Sequence, residues 1–186
     1  MDTFIQQIIN GLVLGSVYAL VALGYTMVYG IINLINFAHG EVLMVGALTS
    51  WTVVTALGKS GLPGWLLLII GLVAAIIVCC TLNYTIEKVA YRPLRNAPRL
   101  APLITAMGMS LLLQTLAMII WEPTYKSYPI LLQGEPHNIG GAVINNVQIL
   151  ILVVTAVTLS GLMYLVNKTK LGRAMRATAE NPRVAG

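Results

Sequence analysis

Three observations predict an all-α fold, a polytopic transmembrane helix bundle. The 186 residues are 58% hydrophobic and only 9% charged, whereas a soluble domain carries about 25% charged residues. Apolar runs long enough to cross a bilayer recur about five times, each near the ~20 residues that a span needs. Nine of the eleven Lys and Arg residues fall in two segments, Glu87–Arg99 and Lys168–Arg183. Short basic loops stay on the cytoplasmic side, so this asymmetry maps the topology. It also accounts for the basic balance without nucleic acid, since the charges edge apolar runs instead of forming an aromatic-studded patch.

No formal charge occurs from Thr3 to Ala38, and the first helix is expected over Phe4–Gly30. Its Gly11, Gly15 and Ala19 recur every fourth residue, a small-residue stripe that lets a neighbouring helix approach closely. Tyr29 suits an interfacial anchor. The second element runs over Leu34–Leu57 and is interrupted near its start by Asn36-Phe37-Ala38-His39-Gly40-Glu41. The third spans Leu62–Thr85 and holds Cys79 and Cys80, which offer no metal-ligand spacing. The fourth spans Pro102–Trp121, with Pro102 in a first turn where its missing N–H costs nothing. The fifth spans Val147–Val166.

With residues 87–101 as a cytoplasmic basic loop and 168–186 as a second cytoplasmic segment, two crossings separate them. Residues 122–146, rich in Pro and Gly, then form an outer loop at the membrane surface. Counting back, the Gly58–Gly64 turn is outside, Ile31–His39 inside and the N-terminus outside; a re-entrant second element would reverse the last placement. The Asn83 and Asn167 glycosylation patterns abut the cytoplasmic side and are discounted.

His39 and Glu41 are the most informative polar residues. An ionisable pair inside a membrane element is costly unless it lines a cavity or meets a partner. Gly40, with Asn33 and Asn36 upstream, suits the unwound backbone that transporters place at binding sites. The competing reading is a cytoplasmic turn in which Glu41 caps the second helix. Ser110 and Gln114, four apart on the fourth helix, share a face; they either hold helices together or line a path. The Ala-rich stretch from Leu171 to Glu180 predicts a short cytoplasmic helix, separated from the fifth span by Gly172 and ended by Pro182. By spacing alone it suits anionic headgroups as well as a protein partner.

Several stretches resemble one family. Gly11-Leu-Val-Leu-Gly15-Ser-Val-Tyr18, Gly24-Tyr-Thr-Met-Val-Tyr29-Gly30 and Asn36-Phe-Ala-His-Gly-Glu41 resemble the start of the high-affinity branched-chain amino-acid ABC transporter permeases. Glu87-Lys-Val-Ala-Tyr91-Arg92-Pro93-Leu-Arg95 and Met107-Gly-Met-Ser110-Leu-Leu-Leu-Gln114 are similar to that family's first cytoplasmic loop and next helix. Gly172-Arg173-Ala174-Met-Arg176-Ala177 is similar to its cytoplasmic coupling segment. The resemblance covers all of these residues but only part of the family protein, so a single permease domain, truncated at its C-terminus, is expected over residues 1–186.

The resemblance implies a transport subunit of the bacterial inner membrane that is not itself an enzyme and carries no cofactor or metal. Its implied partners are a second homologous permease, two cytoplasmic ATP-binding subunits, a periplasmic amino-acid binding protein and the lipid bilayer. Gly172, Arg173, Ala174, Arg176, Ala177 and Glu180 then become the surface that couples to the ATPases. Asn33, Asn36, His39, Glu41, Ser110 and Gln114 become candidates for the substrate path. An ABC permease for another small solute is the near alternative. An ion-coupled carrier is the distant one, since it would need midplane carboxylates and only Glu41 is a candidate.

Overall fold

A computed structural model describes residues 2–32, 36–94, 97–98, 100–131, 137–139 and 142–180. Six helices dominate: α1 (Asp2–Ile32), α2 (His39–Leu57), α3 (Gly64–Ile86), α4 (Leu100–Trp121), α5 (Asn146–Lys168) and α6 (Lys170–Glu180). Five of them are long and apolar enough to cross a membrane, and the bundle is all-α as the sequence predicts. The chain groups into two compact units, Met1–Asn33 with Gln133–Gly186, and Leu34–Leu132.

In the second unit, α2 and α3 form an antiparallel hairpin through a 3-10 turn at Gly58–Ser60. The helices touch where side chains are smallest. A Cβ on Gly46 would stand 2.7 Å from Cys79 Sγ, and one on Gly71 would stand 2.8 Å from Ser50 Oγ and 2.9 Å from Val54 Cγ2. Below this crossing, Ala38, Val42, Ile86, Ala90 and Leu113 form the buried core, with Cys79, Leu82, Tyr91 and Met109 packed against it. After Ile86 the helix widens into a π-helical turn, Glu87–Tyr91, then a 3-10 turn, Arg92–Leu94. These residues belong to the expected cytoplasmic loop; Arg95 and Arg99 lie outside the described residues.

The C-terminal half of α2 is tied to the chain that follows α4. Trp121 Nε1 donates to Thr52 Oγ1 at 2.8 Å, Trp51 Nε1 donates to the Ser127 carbonyl at 2.9 Å, and Tyr128 Oη lies 3.0 Å from Ser50 Oγ. The Lys126 ammonium sits 4.9 Å above the Trp51 ring. A Trp-rich cluster with one cation suits the headgroup layer, where amphipathic rings settle.

In the first unit, α1 and α5 run in parallel. Near their starts, Gln148 Nε2 donates to Asn10 Oδ1 at 3.4 Å. The expected outer loop is not wholly irregular, because it contains a two-stranded hairpin, β1 (His137–Ile139) and β2 (Ala142–Ile144). The Gln6 carboxamide closes the free edge of β2, donating to the Val143 carbonyl at 3.1 Å and accepting the Val143 N–H at 2.7 Å. One side chain thus does what a third strand would do, satisfying an edge that would otherwise be open. Large apolar side chains such as Leu12, Ile76, Ile119 and Val157 stand exposed along the helices, as lipid-facing positions do.

Candidate functional site: a carboxylate between two helices and a short basic helix

The sequence places Asn36, His39 and Glu41 in an interrupted stretch that Gly40 would allow to unwind. Of the two readings, an unwound backbone or a turn with Glu41 at the start of the second helix, the structure shows the helical start. His39, Gly40 and Glu41 already form the first turn of α2, and the irregular residues are Asn36–Ala38 just ahead of it. The reason is local. A Gly costs a helix only about 1 kcal/mol, and the entering N–H groups have partners. Asn36 Oδ1 accepts the Ala38 N–H at 3.0 Å, and the Asn36 carbonyl accepts the His39 N–H at 3.1 Å. Ala38, at the N-cap position, has no side-chain oxygen to offer, so Asn36 takes over the capping that Ser or Asp would normally provide.

One turn on, Glu41 meets α4. Ser110 Oγ donates to Glu41 Oε1 at 3.1 Å, and Gln114 Nε2 donates to the same oxygen at 2.6 Å. The face that Ser110 and Gln114 share by spacing is therefore organised around a carboxylate 69 and 73 residues away in sequence. Among the described residues, Oε2 accepts no hydrogen bond. Ser110 is the eleventh of the 22 residues of α4, so the carboxylate meets that span half-way along it. A carboxylate in the hydrocarbon costs about 2.5 kcal/mol at the bilayer centre and less towards the ends of a span. Two charge-assisted hydrogen bonds, each contributing roughly 1.5–3 kcal/mol, offset that cost. The first turn of α2 is also the electrostatically favourable place for a negative charge.

Tyr91 joins this group without having been singled out by the sequence. Its hydroxyl donates to Asn36 Oδ1 at 2.8 Å. Asn33 lies outside the described residues. Among those described, no cluster of three or more His, Cys, Asp or Glu side chains is placed to hold a metal.

The second place is α6. Thr169 is its pivot, since its Oγ1 donates to the Leu165 carbonyl at 2.6 Å and accepts the Gly172 N–H at 3.1 Å. Its carbonyl accepts the Arg173 N–H at 3.2 Å. The chain turns so tightly that a Cβ on Gly172 would collide with the carbonyls of Leu165 and Val166. Gly172 is buried in this joint, while Arg173, Ala174, Arg176, Ala177 and Glu180 are exposed and Met175, Thr178 and Ala179 are half-buried. The helix packs against α1 and α5 and presents a small, cationic outer face.

The packing stripe on α1 is exposed within this chain. A Cβ on Gly11 or Gly15 would meet nothing within 4 Å, and Ala19 is exposed beside them. In the second unit α2 and α3 approach closely at Gly46 and Gly71, each with a small residue four on, Ser50 and Ala75.

Five helices long and apolar enough to cross a bilayer, two of them joined through a carboxylate, define a multi-pass membrane protein. Residues 7–186 match the family described as branched-chain amino acid transport system / permease component, and the chain belongs to it. It is 47% identical over 183 residues to the high-affinity branched-chain amino acid transport system permease protein BraD of Pseudomonas aeruginosa, covering 96% of this chain and 60% of that protein. It is 43% identical over 187 residues to the corresponding LivH of Escherichia coli K12, covering 98% of this chain and 61% of that protein. The chain thus spans about three-fifths of the length of these relatives. No solved structure matches it.

Proposed function

We propose that this chain is the N-terminal part of the pore-forming permease subunit of an ATP-binding-cassette importer. The importer moves branched-chain amino acids across the bacterial inner membrane. A periplasmic binding protein delivers the substrate, a second homologous permease completes the pore, and two cytoplasmic ATP-binding subunits hydrolyse ATP. The chain itself catalyses no reaction.

The observation that carries this reading is the Glu41 carboxylate, which takes Ser110 and Gln114 on one oxygen half-way along α4. A branched-chain amino acid in transit presents an ammonium group, a carboxylate and an apolar body. Glu41 Oε2 suits the ammonium. The turn at Asn36 and His39 supplies polar atoms beside it, and Met44, three residues on along α2, supplies apolar wall, the combination expected of a small-molecule path. The outer face of α6, with Arg173, Arg176 and Glu180 flanking Ala174 and Ala177, suits docking to the ATP-binding subunits. Gly172 forms the joint through which their closing motion reaches α5.

The test is uptake of labelled leucine by the full-length permease, assembled with its partners in liposomes loaded with ATP. Glu41→Ala and His39→Ala should each cut uptake at least about tenfold, the loss of one charged or hydrogen-bonded contact, while the complex still assembles. Uptake within twofold of the unsubstituted complex would remove these residues from the path.

A further inference from the structure

Tyr91 closes the π-helical turn Glu87–Tyr91 at the inner end of α3, and such turns often mark functional positions. Its hydroxyl is one of two donors aimed at a single oxygen, since Asn36 Oδ1 takes both Tyr91 Oη–H at 2.8 Å and the Ala38 N–H at 3.0 Å. A carboxamide has one accepting end and one donating end. Two donors converging on it leave one orientation, because a flipped amide would set its NH2 against both. The oriented Asn36 then holds the backbone entering α2, where its carbonyl takes the His39 N–H at 3.1 Å and the Ala38 carbonyl takes the Val42 N–H at 3.0 Å. Glu41 follows within the same turn and reaches Ser110 and Gln114.

We propose that Tyr91 is a positioning residue for the permease site: its hydroxyl fixes the Asn36 carboxamide, which sets the start of α2 and so aims Glu41 at α4. The inference rests on the reading of the Asn36–Glu41 turn as part of the substrate path. It also gives the first cytoplasmic loop a physical connection to that turn, because Tyr91 is followed directly by Arg92 and the basic segment. Removal of the hydroxyl alone is a clean perturbation. The ring packs against the cluster of Ala38, Val42, Ile86, Ala90 and Leu113, and phenylalanine keeps that packing.

The experiment uses the full-length permease with its partner subunits in lipid nanodiscs and liposomes. Amide hydrogen exchange is read over residues 36–43 and leucine uptake is read in parallel. Tyr91→Phe and Asn36→Leu should each speed exchange of the Ala38–Glu41 amides by about tenfold, the effect of losing one hydrogen bond, and lower uptake. Asn36→Asp keeps an accepting oxygen for both donors and should retain slow exchange and most of the uptake. The double variant Tyr91→Phe with Asn36→Leu should be no worse than Asn36→Leu alone, because Tyr91 acts only through Asn36. Exchange unchanged in Tyr91→Phe, or effects that multiply in the double variant, would overturn the proposal whatever uptake does. Faster exchange with normal uptake would uphold the positioning and instead remove the turn from the substrate path.

Discussion

Glu122 ends α4 with a φ of +58°, in the left-handed region where a side chain carries a penalty of roughly 1–2 kcal/mol. Its N–H still bonds the Met118 carbonyl at 3.0 Å and its carbonyl takes the Thr124 N–H at 2.8 Å. The conformation is therefore imposed by the helix end and by Pro123, which cannot continue the helix. Glycine adopts this geometry freely but loses more chain entropy on folding. Glu122→Gly should raise stability by about 0.5–1 kcal/mol, read as a thermal midpoint higher by a few degrees in detergent, whereas Glu122→Ala should not. Ser110 and Gln114 show what sequence can and cannot say about a single side chain. Their common face follows from spacing four. Their common acceptor does not, because Glu41 sits on another helix and no local pattern links them.

At the scale of elements, the joint between α5 and α6 is the most constrained feature. Gly172 lies against two carbonyls that already serve as acceptors or helix ends, so an added methyl must push α6 away from α5. Overpacking of this kind costs about 1–3 kcal/mol. Gly172→Ala should therefore loosen α6, and trypsin should cut after Lys170, Arg173 or Arg176 about tenfold faster in the assembled complex, as 1.4 kcal/mol implies when cleavage follows local opening. Unchanged cleavage would mean that α6 shifts without unfolding. The five spans themselves were legible because a bilayer demands long apolar runs, and their bounds fall within a few residues of expectation except at α2. That helix starts at His39 and not at Leu34, since its start is set by the Asn36 cap and by Tyr91 from α3. The hairpin at residues 137–144 escaped notice for a similar reason. Its free edge is closed by Gln6, more than 130 residues away, and no periodicity within the loop records that partner. The close approaches at Gly46 and Gly71 are identified by what lies opposite them, Cys79 on α3 and Ser50 with Val54 on α2.

Across the whole molecule, the charge pattern and the hydrogen bonds constrain one topology. Lys88 and Arg92 close the third span and Lys168 to Arg176 follow the fifth, so both ends belong inside by the positive-inside rule. The connection from Trp121 to Asn146 is then expected outside. In the first unit, Gln6 bonds Val143 and Asn10 bonds Gln148, which puts the start of α1 at the same end as the start of α5. Helix α1 has 31 residues, roughly 46 Å at 1.5 Å per residue, more than the ~30 Å hydrocarbon layer requires. Its first turns can therefore stand in the headgroup region, where Gln6 and Asn10 find polar partners. The expected result is an N-terminus outside, with α1 crossing inward. Single cysteines at Thr3 and at the fully exposed Tyr125 (99% accessible), in a full-length background lacking Cys79 and Cys80, should react with a membrane-impermeant maleimide in intact spheroplasts. Cysteines at Lys88 and Arg176 should react only after permeabilisation. Labelling of Tyr125 but not of Thr3 in intact spheroplasts would separate the two ends that Gln6 joins, and would place α1 across the membrane in the opposite sense to α5.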